Sequence, residues 1–261
     1  MIKYNLTIVQ KICLAGIFIP LIAIFQKVFA INYIAVIPFV RISFGGPALI
    51  IFASVLLGPW FGLFVGAMSD IVGFFIFDPK MFGSIPFFQI TAIYALLGFC
   101  SYFVFKWIHV IKSKKLMLIV ELSTFAVLLL GITLFVNLTE SITLYGVTYQ
   151  FDIWTRIFIP VILFILLGLL FVAIFFIDKH FKKINENIST YQVSFSCFIL
   201  EVFIMLIFGS IMKVWAFSST AFLPIFICQL IVLFFNVPLN TFLISYIMNL
   251  SRRIFKVKDN A

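Results

Sequence analysis

Apolar residues along the chain fall into eight runs, separated by short breaks that contain polar residues, glycine or proline. A helix that crosses a bilayer needs about 20 mainly apolar residues, and most of the runs approach or exceed that length. The second and third runs are shorter and meet at Gly58-Pro59, a pair typical of a turn or a helix break. The pattern therefore predicts an all-α, polytopic helical membrane protein with spans at residues 8–30, 46–57, 60–77, 87–108, 116–137, 154–177, 192–216 and 222–249.

The composition supports this fold class. Of the 261 residues, 64% are hydrophobic and 10% are charged, whereas an ordinary soluble domain has about 45–50% and about 25%. This balance excludes a soluble fold and leaves no room for a separate soluble domain. The first apolar run follows Lys3 and Lys11, as in a secretory signal. It is too long and lacks a convincing small-residue cleavage site, so we expect a retained first helix.

The basic residues indicate how the helices are oriented, because cytoplasmic connections carry an excess of Lys and Arg. With a cytoplasmic N-terminus, 13 of the 18 basic residues lie inside and five lie outside. This split predicts a protein of the cell membrane with both termini cytoplasmic, and it explains the net charge of +9 without a nucleic-acid partner. The five outside residues are Lys27, Arg41, Lys80, Arg156 and Lys213.

The first outside connection, residues 32–45, is apolar on average but is broken by Pro38 and Gly45 and carries Arg41 and Ser43. Irregular backbone at membrane depth needs protein or a water-filled cavity to satisfy its polar groups. We therefore expect this segment to fold over the helices as a lid or cavity wall. The alternative is an interfacial loop in which Arg41 extends to the lipid headgroups.

The third apolar run carries Gly58, Gly62, Gly66 and Asp70 at intervals of four, which places them on one helical face. Small residues at this spacing allow another helix or a ligand to approach the backbone closely. A carboxylate inside a span costs about 2.5–3.5 kcal/mol on insertion scales and marks a functional site by default. The structural alternative for Asp70 is a salt bridge with Arg41.

Other chemistry is sparse. Glu121 and Glu201 lie near the inside ends of their helices, where water or the neighbouring lysine clusters could pair with them, so we favour a structural role. His109 and His180 lie in basic connections, and the cysteines lack CxxC or metal-ligand spacing. The chain also lacks HExxH and GxxxxGK[ST], so we expect no metal site, no bound cofactor, no enzyme activity and no ATPase of its own. The four cysteines are Cys13, Cys100, Cys197 and Cys228.

The motifs in residues 40–77 resemble those of the substrate-binding (S) subunits of energy-coupling factor transporters, most closely the folate subunit. That family has an R-I-S-F-G-like loop, a short helix ending in L-x-G-P, and a helix of the form G-x-x-x-G-x-x-x-D-x-x-G. Residues 82–99 and 138–160 fit the family more loosely. The matching positions here are 41–45, 57–59, Gly62, Gly66, Asp70 and Gly73, with Tyr145 and Arg156 in register in the last segment.

The family core has six spans, whereas eight are predicted here. We prefer an interpretation in which residues 1–183 form the S-subunit-like core and residues 184–261 add a transmembrane hairpin and a basic cytoplasmic tail. In the alternative, residues 221–239 supply the family's final helix and residues 115–178 are an insertion. The two interpretations assign the residues after about 100 differently.

The resemblance implies a bacterial protein that captures a vitamin, folate first, from the outside. It would dock in the lipid bilayer on a transmembrane coupling subunit carried by two ATPase subunits. A pterin's adjacent donors suit Asp70, and the anionic tail suits Arg41 or Arg156. The substrate-binding residues implied are Arg41, Ser43, Phe44, Gly45, Asp70, Gln89, Tyr145 and Arg156, and the helix-packing or partner-docking glycines are Gly16, Gly58, Gly62 and Gly66.

Three alternatives remain at this point. An S subunit for another vitamin, such as riboflavin or thiamine, would share the fold and the partners. An ion-coupled secondary carrier would use Asp70, Glu121 or Glu201 as the titrating group and should contain inverted repeats, which the sequence does not display. A membrane enzyme would need convergent nucleophile, base or metal residues, which the chain lacks.

Overall fold

A computed structural model describes residues 6–30, 43, 45–77, 87–144, 147–181, 189–217 and 221–255. These residues form eight helices and one β-hairpin, and seven of the helices are long and apolar enough to cross a membrane. This confirms the prediction of an all-α, polytopic membrane protein. The helices are α1 (Ile8–Lys27), α2 (Gly46–Leu57), α3 (Pro59–Phe77), α4 (Phe88–Ile108), α5 (Lys114–Leu138), α6 (Ile153–Phe181), α7 (Thr190–Ala216) and α8 (Phe222–Phe255).

The short helix is α2, which has 12 residues. At 1.5 Å per residue it is about 18 Å long, well short of the roughly 30 Å hydrocarbon core. All of its residues are nevertheless buried, so α2 is an internal element of the bundle. The chain reverses after it at Gly58, whose φ of +102° favours glycine. The reversal brings Gly62 of α3 against Ser54 of α2.

Helices α3 and α4 pack with their backbones in close contact. A methyl group built on Gly62 would lie 2.5 Å from the carbonyl oxygen of Gly98. A methyl group on Gly66 would overlap the carbonyl of Tyr94, and one on Gly98 would overlap the carbonyl of Gly62. The glycine face of α3 is therefore occupied by α4 within the same chain.

Helices α7 and α8 complete the bundle formed by α1–α4. Their residues Cys197, Ile204 and Ile244 belong to the same buried core as α1–α4. Helices α5 and α6 contact each other, α7 and α8, but no helix among α1–α4 within the described residues. The boundary expected at residue 183 stays a prediction.

The connection between α5 and α6 contains two antiparallel strands, β1 (Ser141–Leu144) and β2 (Val147–Gln150). Arg156, in the first turn of α6, holds this connection in place. Its Nε donates to the carbonyl oxygen of Phe151 at 3.1 Å, and its Nη2 donates to that of Thr139 at 3.4 Å. Arg156 thereby joins the end of α5 to the beginning of α6.

Candidate functional site

Asp70 lies on the face of α3 that meets α4, one turn beyond Gly66. Its side chain is only 7% exposed. The hydroxyl of Thr91, on the first turn of α4, donates a hydrogen bond of 2.7 Å to its Oδ2. The close α3–α4 packing at Gly62 and Gly66 sets this pairing, because it fixes the two helices in register.

The last turn of α1 lies against the same ends of α2 and α3. The side chain of Gln26 is buried and covers Gly46 at the beginning of α2. The alkyl chain of Lys27 passes over Gly73, which follows Asp70 by one turn, with its Cγ 3.3 Å from where a methyl group would stand. Four helix ends therefore converge here, and they bring an amide, an ammonium group and a carboxylate to one end of the bundle.

Ser43 and Gly45 lead into α2 at this end. Gly45 caps α2 with a φ of +79°, and a methyl group built on it would lie 2.9 Å from Leu243 and 3.2 Å from Phe25. The Oγ of Ser43 is buried and has no hydrogen-bond partner among the described residues. A buried hydroxyl without a partner costs free energy. This hydroxyl is thus available for an added polar group.

Gln89 is buried in the first turn of α4, two residues before Thr91. Eight substrate-binding residues were predicted. The structure places four of them, Ser43, Gly45, Asp70 and Gln89, at the adjoining ends of α2, α3 and α4. Arg41, Phe44 and Tyr145 lie outside the described residues, as does most of the predicted lid.

Arg156 is not brought to this end of α3. Helix α6 contacts neither α3 nor α4 within the described ranges, and the Arg156 guanidinium is engaged with two backbone carbonyls. The role predicted for Arg156 on the substrate's anionic tail stays a prediction, whereas its observed contacts are structural.

The predicted packing glycines separate into two pairs. Gly62 and Gly66 are covered by α2 or α4. A methyl group on Gly16 or Gly58 would meet no atom within 4 Å among the described residues. Gly58 is instead required by its positive φ. Of the four, only Gly16 lies within a helix and also has no described atom next to it. A helix of a partner protein could therefore pack closely against Gly16.

A second polar group lies between α5, α7 and α8. Ser194 donates to Oε1 of Glu121 at 2.7 Å, and Asn240 donates to Oε1 of Glu201 at 2.7 Å. Both glutamates are only 1% exposed. We expected water or lysine as their partners, but the observed partners are neutral and internal. From the lysine cluster at the start of α5, Lys114 pairs with Asp178 instead, at 3.8 Å.

Residues Glu201–Phe208, in the middle of α7, form a π-helical segment. π-Helical turns are rare and often occur at functional sites. Sequence reasoning missed this segment, and it also missed the buried polar residues of α8. The sequence does contain polar residues within the last apolar run, and several of them are separated by four residues. This spacing could have indicated a buried polar face on α8. The buried polar residues of α8 are Asn236, Asn240, Thr241, Ser245, Asn249 and Ser251, and the first five lie within the predicted apolar run 222–249.

Among the described residues, no group of three or more His, Cys, Asp and Glu side chains is placed to hold a metal ion. The group at Asp70 can accept hydrogen bonds from a ligand's donors. The group at Glu201 can accept a proton or a cation. Comparisons of the chain with protein-family models, curated proteins and solved structures find no match.

Proposed function

We propose that this chain is the substrate-capture subunit of an ATP-driven importer of the energy-coupling factor type, and that it binds a vitamin, folate first. The observation that carries the proposal is the buried Asp70 carboxylate, held by Thr91 at the convergent ends of four helices. It stands in the segment whose motifs resemble the folate subunit.

The chemistry of this carboxylate suits a pterin. A carboxylate has about four lone-pair sites. Thr91 donates to Oδ2, and a carboxylate accepts several hydrogen bonds at the same time. A pterin presents a ring N–H next to an amino group, and a carboxylate accepts such a pair in two parallel bonds. The hydroxyl of Ser43, which has no hydrogen-bond partner among the described residues, and the amide of Gln89 offer further polar contacts.

The packing supports the same proposal. Helices α1–α4, α7 and α8 make a bundle of six helices, five of which are long enough to span a membrane, and the family that the chain resembles has a core of six helices. In this proposal the chain lies in the cell membrane with both termini cytoplasmic, as the basic residues predict. Separate ATPase subunits supply the energy through a coupling subunit that docks on an open helix face, such as the one around Gly16.

Binding to purified variants tests the proposal. Asp70→Asn places a donor where an acceptor is needed. Losing a hydrogen bond to a charged group costs roughly 1.5–3 kcal/mol, and each 1.4 kcal/mol is about tenfold in affinity. We expect folate to bind about one to two orders of magnitude more weakly to this variant.

The matched control is Glu121→Gln, which neutralises another carboxylate that is equally enclosed by helices. It should retain wild-type affinity for folate. Wild-type affinity in a folded Asp70→Asn protein would contradict the site. If the wild type binds riboflavin or thiamine instead of folate, the substrate is another vitamin and the architecture still stands.

We propose an ion-coupled secondary carrier as the second candidate function, because Glu121 and Glu201 are buried against neutral partners and α7 is π-helical at Glu201. The lone chain in proteoliposomes separates the two mechanisms. Accumulation of vitamin driven by an ion gradient would favour the carrier. Binding without accumulation would favour the capture subunit.

A further inference from the structure

Buried oxygen atoms are concentrated around Glu201, where α7 meets α8. Asn240 donates its amide hydrogen to the Glu201 carboxylate, and Asn236, one turn earlier on α8, lies beside the same carboxylate. Thr241 lies beside Cys197, one turn before Glu201 on α7. The side chains of Glu201, Asn236, Asn240 and Thr241 are at least 97% buried.

Three of these oxygens have no nitrogen or oxygen as a hydrogen-bond partner in the described part of the chain: Oδ1 of Asn236, Oδ1 of Asn240 and Oγ1 of Thr241, which lies beside the Cys197 sulfur. Buried polar groups are normally paired, and each unpaired one is costly in an apolar environment. Here the three belong to neighbouring positions of one helix. Together with the carboxylate they make four oxygen-bearing side chains at the contact between α7 and α8.

The charge of the buried Glu201 carboxylate also favours a bound cation. The hydrogen-bond donors to Glu201 and Glu121 are neutral side chains. Lys213 follows Glu201 by 12 residues on α7, which is about 18 Å along the helix axis at 1.5 Å per residue. An ionised carboxylate at membrane depth requires compensation. Asn240 turns its amide nitrogen toward the carboxylate, so a cation would be bound with this amide rotated to present Oδ1. A cation bound in this way would neutralise Glu201 and give the unpaired oxygens a partner.

We propose that Glu201, Asn236, Asn240 and Thr241 bind a sodium ion. Carboxylate, amide and hydroxyl oxygens are ligands suited to a hard cation, and neutral amide oxygens with one carboxylate match a single positive charge. A bound proton would serve only one acceptor, whereas a metal ion contacts all of them. Irregular helix segments also form sodium sites in transporters, and the π-helical segment begins at Glu201 itself.

This site is separate from the proposed vitamin site. It lies on α7 and α8, whereas Asp70 lies between α3 and α4. Sodium binding is measured without vitamin, so its failure leaves the vitamin proposal untouched, and failure of vitamin binding leaves the sodium site untouched.

The test uses the full chain in detergent micelles with radiolabelled sodium as the probe. We expect saturable binding of one ion per chain and a higher melting temperature in sodium chloride than in choline chloride at equal ionic strength. Glu201→Gln and Asn240→Ala each remove a ligand. Loss of an outer-shell partner alone typically weakens metal affinity about tenfold or more, so we expect at least a tenfold loss.

Asn249→Ala is the matched control. Asn249 is also a buried asparagine of α8, and its Oδ1 has no hydrogen-bond partner among the residues that the structure describes. It follows Asn240 by nine residues. It should retain wild-type sodium affinity. The absence of both sodium binding and sodium-dependent stabilisation in the wild type would overturn the proposal, as would full sodium affinity in folded Glu201→Gln. Stabilisation that follows pH and ignores sodium would assign the site to a proton and also overturn it.

Discussion

Gly66→Ala tests the close packing of α3 on α4, on which the geometry at Asp70 depends. The added methyl group would overlap the backbone carbonyl of Tyr94. A backbone carbonyl within a helix cannot rotate away as a side chain can. The two helices must therefore move apart, and the contact between Asp70 and Thr91 one turn further along would be stretched.

The expected magnitude combines two opposing effects. Overpacking typically costs about 1–3 kcal/mol, and an obstacle made of backbone places this variant near the upper value. Alanine gains about 1 kcal/mol over glycine in a helix interior. The net loss of stability is then about 2 kcal/mol. At roughly 2 °C per kcal/mol for a chain of this size, the melting temperature should fall by about 4 °C.

The assay is thermal unfolding of the detergent-solubilised protein, followed by tryptophan fluorescence. Gly168→Ala is the matched control, because Gly168 lies inside α6 and a methyl group there meets no atom within 4 Å. The control should be unchanged or slightly more stable. Equal melting temperatures for Gly66→Ala and Gly168→Ala would refute the packing argument.

Two further predictions concern connections between helices. Gln192→Ala should destabilise the protein more than Gln10→Ala. Both glutamines complete capping boxes, but of the two only Gln192 also donates to backbone carbonyls at the end of α4. Equal melting temperatures for the two variants would contradict this prediction. Arg156→Gln should lower the melting temperature, because the guanidinium links α5 to α6, while folate affinity measured by titration stays unchanged. A tenfold loss of folate affinity in this variant would instead indicate that Arg156 contacts the substrate.

The helices were predictable because a membrane span depends on local composition. The apolar runs located all eight, and the Gly58-Pro59 pair located the break between α2 and α3. The four-residue spacing predicted that Gly62, Gly66 and Asp70 share a face. The identity of the helix against that face, α4, was beyond sequence reasoning, because tertiary packing chooses among several equally apolar neighbours.

Side-chain partners were harder to predict than helices. Thr91 is an ordinary residue in the sequence, and only the register of α3 against α4 brings it to Asp70. Glu121 and Glu201 were expected near water or lysines, yet the packing of α7 against α5 and α8 encloses them with serine and asparagine. Arg156 stands in register with a family motif, but its contacts are set by the α5–α6 connection.

The most direct test of the proposed function is equilibrium binding of folate to the purified chain, alone and without ATP. The account predicts tight, saturable binding of one folate per chain and no ATP hydrolysis. It also predicts that Asp70→Asn weakens folate binding by about one to two orders of magnitude, as estimated from the loss of a hydrogen bond to a charged group. A well-folded wild-type protein that binds no folate, riboflavin or thiamine would contradict it.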